Sequence, residues 1–106
     1  MPVVYRKLVR DRIPEIIQSE GRHPVTRLLD EASYRQALLA KLLEEAQETS
    51  HATPGDLPGE LADVLEVLQA LTVTVGMSWP QLLALAEDKR SRRGGFEGRI
   101  FLESVE

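Results

Sequence analysis

Leu38-Leu-Ala-Lys-Leu-Leu-Glu-Glu-Ala-Gln-Glu48, the connector Thr53-Pro-Gly-Asp-Leu-Pro-Gly59, and Glu60-Leu-Ala-Asp-Val-Leu-Glu-Val-Leu68 decide the reading of this chain. Leu38, Leu39, Leu42, Leu43 and Ala46 recur at helical spacing, and so do Leu61, Val64, Leu65, Leu68 and Leu71. Each flank therefore predicts an amphipathic helix with a buried stripe. The connector is rich in turn residues and too short to link domains, so the two helices become antiparallel neighbours. Residues three or four apart share a helix face, which points Glu45 with Glu48 and Glu60 with Asp63. With Glu44, the hairpin brings four or five carboxylates to one spot beside apolar side chains. Two like charges about 4 Å apart repel by roughly 4 kcal/mol at an effective dielectric of about 20. A hard divalent cation relieves that repulsion, and an all-oxygen donor set suits Mg²⁺ or Mn²⁺. Spacing alone leaves a metal site and a structural charge network both open. Glu44 as ligand or outer group, and Glu66 in the site or in solvent, stay open as well.

Working outward, Ile13 to Glu20 reads as a short first helix, with Pro14 in its opening turn and Gly21 just past its end. Val25 to Leu29 is partly β-branched and reads as a brief extended segment or edge strand. Asp30 is the expected cap of the second helix, which fades near Thr49 to Thr53. The third helix is expected from about Pro58 to Val75, capped by Asp56 and stopped by Gly76. Ser78-Trp-Pro-Gln81 has the capping-box pattern and opens a fourth helix that runs to about Arg93, where Gly94-Gly95 ends it. Arg99 to Leu102 reads as a short strand able to pair with Val25 to Leu29. The expectation is a single all-α domain over residues 1–106, a bundle of about four helices with possible short edge strands.

Composition sets further bounds. Apolar residues make up 42% and aromatics only 5%, which favours aliphatic helix packing over a β-sandwich. Cysteine is absent, so disulfides, zinc thiolates and a thiolate nucleophile are excluded. No apolar run approaches a membrane span and the N-terminus has no signal-peptide core, so a cytoplasmic protein without a membrane partner is expected. The net charge of −4 argues against a nucleic-acid polymer as partner. It also hides a segregation. Arg6, Lys7, Arg10 and Arg12 lie near the start, and Lys89, Arg90, Arg92 and Arg93 near the end, around an acidic middle. Basic ends around an acidic centre suit a phosphate-bearing substrate held through a metal. The segment Lys7 to Asp11 reads either as a flexible basic arm or as a lid carrying phosphate contacts. Lys89 to Arg93 exceeds what a helix C-terminus needs for its dipole, and Arg forks match phosphate oxygens.

Four stretches, taken in order, resemble a known family. The pattern Glu44-Glu-x-x-Glu48 followed by Glu60-x-x-Asp63 is similar to that of the all-α nucleoside triphosphate pyrophosphohydrolases, the MazG-like superfamily. Lys7-Leu-Val-Arg-Asp-Arg-Ile-Pro14, Glu60-Leu-Ala-Asp-Val-Leu-Glu66 and Lys89-Arg-x-x-Arg-Gly-Gly-Phe-x-x-Arg-Ile100 look like a small single-domain branch with a house-cleaning role on non-standard nucleotides. The resemblance covers nearly the whole chain. It implies Glu45, Glu48, Glu60 and Asp63 as Mg²⁺ ligands, with Glu44 as a further ligand or water-orienting group. It implies hydrolysis of a nucleoside triphosphate to a monophosphate and pyrophosphate, and a homodimer or homotetramer that completes the core. Glu44 or Glu45 would orient the attacking water, while Lys7, Arg10, Lys89, Arg92 and Arg93 would hold phosphates. Eleven residues separate Glu48 from Glu60, at or just below the family's usual interval. Two alternatives remain: a phosphoribosyl-ATP pyrophosphohydrolase, which shares the acidic pattern, and a non-catalytic helical module for nucleotide binding or assembly.

Overall fold

Capping chemistry sets where the helices begin and end. In the computed structural model, which describes residues 2–106, they are α1 (Ile13–Ser19), α2 (Glu31–Ser50), α3 (Leu57–Thr74) and α4 (Trp79–Arg93). Asp30 caps α2, its carboxylate accepting a hydrogen bond from the Ser33 N–H at 2.8 Å. Ser78 and Gln81 form the expected reciprocal capping box on α4. Gly76 has φ of +67°, a left-handed conformation that costs glycine nothing. There the Gly76 and Met77 N–H groups donate back to the carbonyls of Val73 and Thr72, closing α3 in a Schellman motif. Asp56 departs from the expected cap. Its carboxylate accepts from the Thr53 hydroxyl within the connector and makes no side-chain bond to α3. The loop has taken the group that the helix would have used.

The hairpin is the framework. The short turn returns α3 antiparallel to α2, and the Arg35 guanidinium near the start of α2 donates to the Thr74 carbonyl at the end of α3. α4 touches only one end of α3, with the pair bent by 105° at the break, and α1 has no close backbone neighbour among the other helices. No strand forms among the described residues. The two segments expected to pair, Val25 to Leu29 and Arg99 to Leu102, form no ladder, and Arg99 has φ of +57°, outside the strand region. Leu28 is 99% exposed and Ile100 91%. A two-stranded pair is marginal even when formed, and here nothing brings its halves together. No single helix among the described residues is long and apolar enough to cross a membrane.

The core of one chain is very small. Among the described residues, only Leu38 (3% exposed) and Val67 (7%) are buried hydrophobic residues, joined by the polar Thr72 and Glu45. The buried face of α2 runs through Leu38, Lys41, Leu42 and Glu45, while Leu39, Leu43 and Ala46 of the expected stripe point away. Leu61 and Leu65 of α3 are likewise exposed. The apolar stripes are wider than a single hairpin contact can cover. The accessible surface is 9489 Å², against about 6,000 Å² for a folded monomer of this mass. The radius of gyration is 18.1 Å, against about 13 Å for a compact domain of this length.

Because Leu38 is the best-buried apolar side chain, Leu38→Ala is expected to lower stability by about 3 kcal/mol. Urea unfolding at fixed protein concentration measures it.

Candidate metal centre

Glu45 is the anomaly that locates the site. It sits on the packed face of α2, 7% exposed, because the helical phase that buries Leu38 and Leu42 also turns Glu45 toward α3. Opposite it, Glu60 and Asp63 occupy one face in the first turns of α3. Carboxylate oxygens of Glu45, Glu60 and Asp63 all lie within 4.8 Å of one another. Glu45 Oε2 and Glu60 Oε2 are buried and have no hydrogen-bond partner among the described residues. An unpartnered buried carboxylate oxygen is expensive, and three oxygens converging from two helices form a donor set able to hold a metal ion.

The surroundings are electrostatically unbalanced. Lys41 is one turn before the acidic pair on α2, its ammonium 3.4 Å from Glu44 and 3.6 Å from Glu45. The N-terminal segment crosses the cleft and adds two more cations. Lys7 lies 3.6 Å from Glu44, and Arg10 contacts Asp63 at 2.7 Å. Five carboxylates (Glu44, Glu45, Glu48, Glu60, Asp63) thus stand against three cations (Lys7, Arg10, Lys41), an excess of two negative charges. Burial pushes the Glu45 carboxyl above its usual range. The charges of Glu48, Asp63 and Glu44 push the same way, and Lys41 opposes them. The cleft is open, of about 250 Å³, and lined by Lys7, Val9, Arg10, Ile13, Lys41, Glu45 and Asp63.

Not every residue singled out from the sequence gathers here. Glu48 is exposed and stands outside the close group of three, although its charge is felt by Glu45. Glu44 is half-buried, shared between Lys7 and Lys41. Glu66, one turn beyond Asp63, is exposed. The basic end of α4 lines a different cleft, formed by Ala86, Lys89, Arg90, Arg93, Gly94, Gly95 and Phe96, which shares no residue with the acidic one. Arg92 is tied to Asp88 on its own helix, and Lys89 and Arg93 form no ion pair among the described residues. Lys41 is the site residue that the sequence reading missed. Its spacing of three and four from Glu44 and Glu45 was the available signal.

No family model matches the chain. No solved structure matches it either. An uncharacterized protein of Mycolicibacterium smegmatis is 52% identical over 50 residues, covering 47% of this chain and 51% of that protein. The chain thus spans about half the length of the curated relative it matches.

The raised Glu45 pKa has a definite sign for stability. The folded carboxyl holds its proton more tightly than the unfolded one, so the associated stabilisation is full below the ordinary carboxylate range. It is lost as pH rises through the raised value. Glu45→Gln removes this dependence. Thermal midpoints of the metal-free proteins, scanned from about pH 4 to about pH 7, are expected to move in favour of the variant as pH rises.

Proposed function

We propose that this chain is a Mg²⁺-dependent nucleoside triphosphate pyrophosphohydrolase of the MazG-like kind, acting on a non-standard nucleotide as a homo-oligomer. The observation that carries the reading is the group Glu45, Glu60 and Asp63, built on the buried Glu45, with two buried carboxylate oxygens that have no hydrogen-bond partner among the described residues. The carboxylates around that group outnumber the cations paired with them, which favours a cation as occupant. The order and spacing of the Lys7–Pro14, Glu44–Glu48, Glu60–Glu66 and Lys89–Ile100 stretches supply the family likeness.

In this reading Glu45, Glu60 and Asp63 hold Mg²⁺, with Glu48 completing the set from the rim of α2. The bound ion would supply a water of lowered pKa and neutralise charge on the phosphates. Glu44, held by Lys41 one turn before it on α2, accepts a proton from the water as its oxygen bonds to the α-phosphorus. The bond from the α-phosphorus to the α–β bridging oxygen breaks, and pyrophosphate leaves. Arg10 and Lys7 sit at the mouth of the cleft, where a guanidinium fork and an ammonium suit phosphate oxygens. Lys89, Arg92 and Arg93 complete the phosphate contacts from a second copy, since α4 lines a separate cleft within one chain.

Surface area supports assembly. The accessible surface exceeds that of a compact monomer by about 3,500 Å². Leu39, Leu43, Leu61 and Leu65 supply exposed apolar area along the hairpin. Obligate interfaces in general bury more than about 2,000 Å² in total, so one protomer has ample surface for a dimer or tetramer. Sedimentation is expected to give an oligomer, and Leu43→Glu combined with Leu65→Glu to shift it toward monomer. A native chain that sediments as a monomer removes the assembly part of the reading.

Pyrophosphate release from a panel of standard and modified nucleoside triphosphates, with Mg²⁺, with Mn²⁺ and with chelator, tests the activity. Release is expected only with metal. Glu45→Gln is expected to reduce it by at least about 100-fold with helicity retained. Turnover unchanged by Glu45→Gln would end the metal-centre argument. No release from any triphosphate would favour a non-catalytic nucleotide-binding module instead.

A further inference from the structure

The three cations at the acidic cleft are held in two different ways. Lys41 belongs to α2 itself, is 18% exposed at its side chain, and stands at fixed helical spacing from Glu44 and Glu45. Arg10 and Lys7 belong to the irregular segment that precedes α1, and their ion pairs are solvent-exposed. Arg6, just before them, has φ of +47°, a left-handed conformation that few non-glycine residues adopt. The segment therefore lies across the cleft through two exposed ion pairs and the flanking Val9 and Ile13. Exposed ion pairs are weak and readily exchanged.

Arg10 occupies the same carboxylate that the metal group needs. Its guanidinium contacts Asp63 Oδ1 at 2.7 Å, and Asp63 is one of the three carboxylates that converge. A divalent cation among Glu45, Glu60 and Asp63 carries more charge than the guanidinium and meets the two unpartnered oxygens that Arg10 leaves unsatisfied. We infer that Arg10 is a resident counter-cation that exchanges with the divalent metal, so that metal binding frees the N-terminal segment to grip an anionic phosphate ligand. This rests on the metal-centre reading above. Before exchange, Arg10 is spent on Asp63 and the cleft repels anions. After exchange, the excess negative charge is cancelled and a planar guanidinium stands free at the cleft mouth. The order of binding is then metal first, phosphate second, and Arg10 is a binding residue for the second step only.

The test uses Mn²⁺ and inorganic pyrophosphate as probes on the full chain. Mn²⁺ affinity, read by electron paramagnetic resonance, is expected to tighten about two- to fivefold in Arg10→Gln, the range that an exposed ion pair can hold back. Arg12→Gln is the control, because Arg12 pairs with Glu15 rather than with the cleft, and it is expected to leave affinity unchanged. Mn²⁺ is expected to raise amide hydrogen exchange over residues 7–12 of the native chain. Pyrophosphate is expected to bind the native chain only with Mn²⁺ present, and to bind Arg10→Gln at least about tenfold more weakly. Equal Mn²⁺ affinity of native chain and Arg10→Gln, or unchanged exchange over residues 7–12, overturns the exchange and leaves the metal centre standing. Absence of Mn²⁺ binding in both proteins overturns the metal centre and the exchange together.

Discussion

Closing α2 against α3 forces a carboxylate into the packed face between them. Every other property of the site depends on that contact. The helical phase that buries Leu38 also buries Glu45, and the short connector places Glu60 and Asp63 opposite it. Apolar burial thereby holds three carboxylates at a distance they would not choose in water. The opposing charge is then recruited from two sources, Lys41 on the same helix and the N-terminal segment from outside the hairpin. Folding energy from the apolar face and electrostatic strain at the acidic end are two consequences of one packing event.

The same hairpin accounts for the unusual shape of the chain. Two helices in contact can each cover only part of a broad apolar stripe, and α4 leaves at a steep angle instead of closing over the rest. Leu39, Leu43, Leu61 and Leu65 remain outside, and the segment after α4 carries Phe96, Ile100, Phe101 and Leu102 into solvent. A chain with this little interior cannot draw much stability from its own core. The acidic site lies at the edge of the one well-packed contact, where its geometry is best supported.

Much of this was legible from the residues. All four helices follow from their stripes and punctuation: Asp30 and Ser78 cap as their side chains predict, and Gly76 stops α3. The convergence of Glu45 with Glu60 and Asp63 follows from spacing and a short loop. Other features were not legible, for physical reasons. The stripe of α2 has apolar residues on more than half its circumference, so spacing could not say that Leu38 and Leu42 face inward while Leu39 and Leu43 face out. Asp56 looked like a cap because sequence does not reveal that Thr53 claims its carboxylate first. The segments near Val25 and Ile100 have strand-like composition, but pairing is a property of two segments and neither finds the other. Lys41 reads as an ordinary surface lysine until burial of its neighbour Glu45 is known.

The tightness of the connector carries a consequence for how the site comes into being. All five carboxylates fall between Glu44 and Asp63, so the contacts that build the centre join residues close together along the chain. Local contacts close small loops, and helical hairpins of this kind form early and fast. The acidic cleft is in that sense a self-contained cassette. Its register is written into one turn, and changes of length in the non-helical segments before α2 or after α4 leave that register intact. An insertion within residues 52–56 is different: it lets α3 slide or rotate against α2 and separates Glu45 from its two partners while both helices persist.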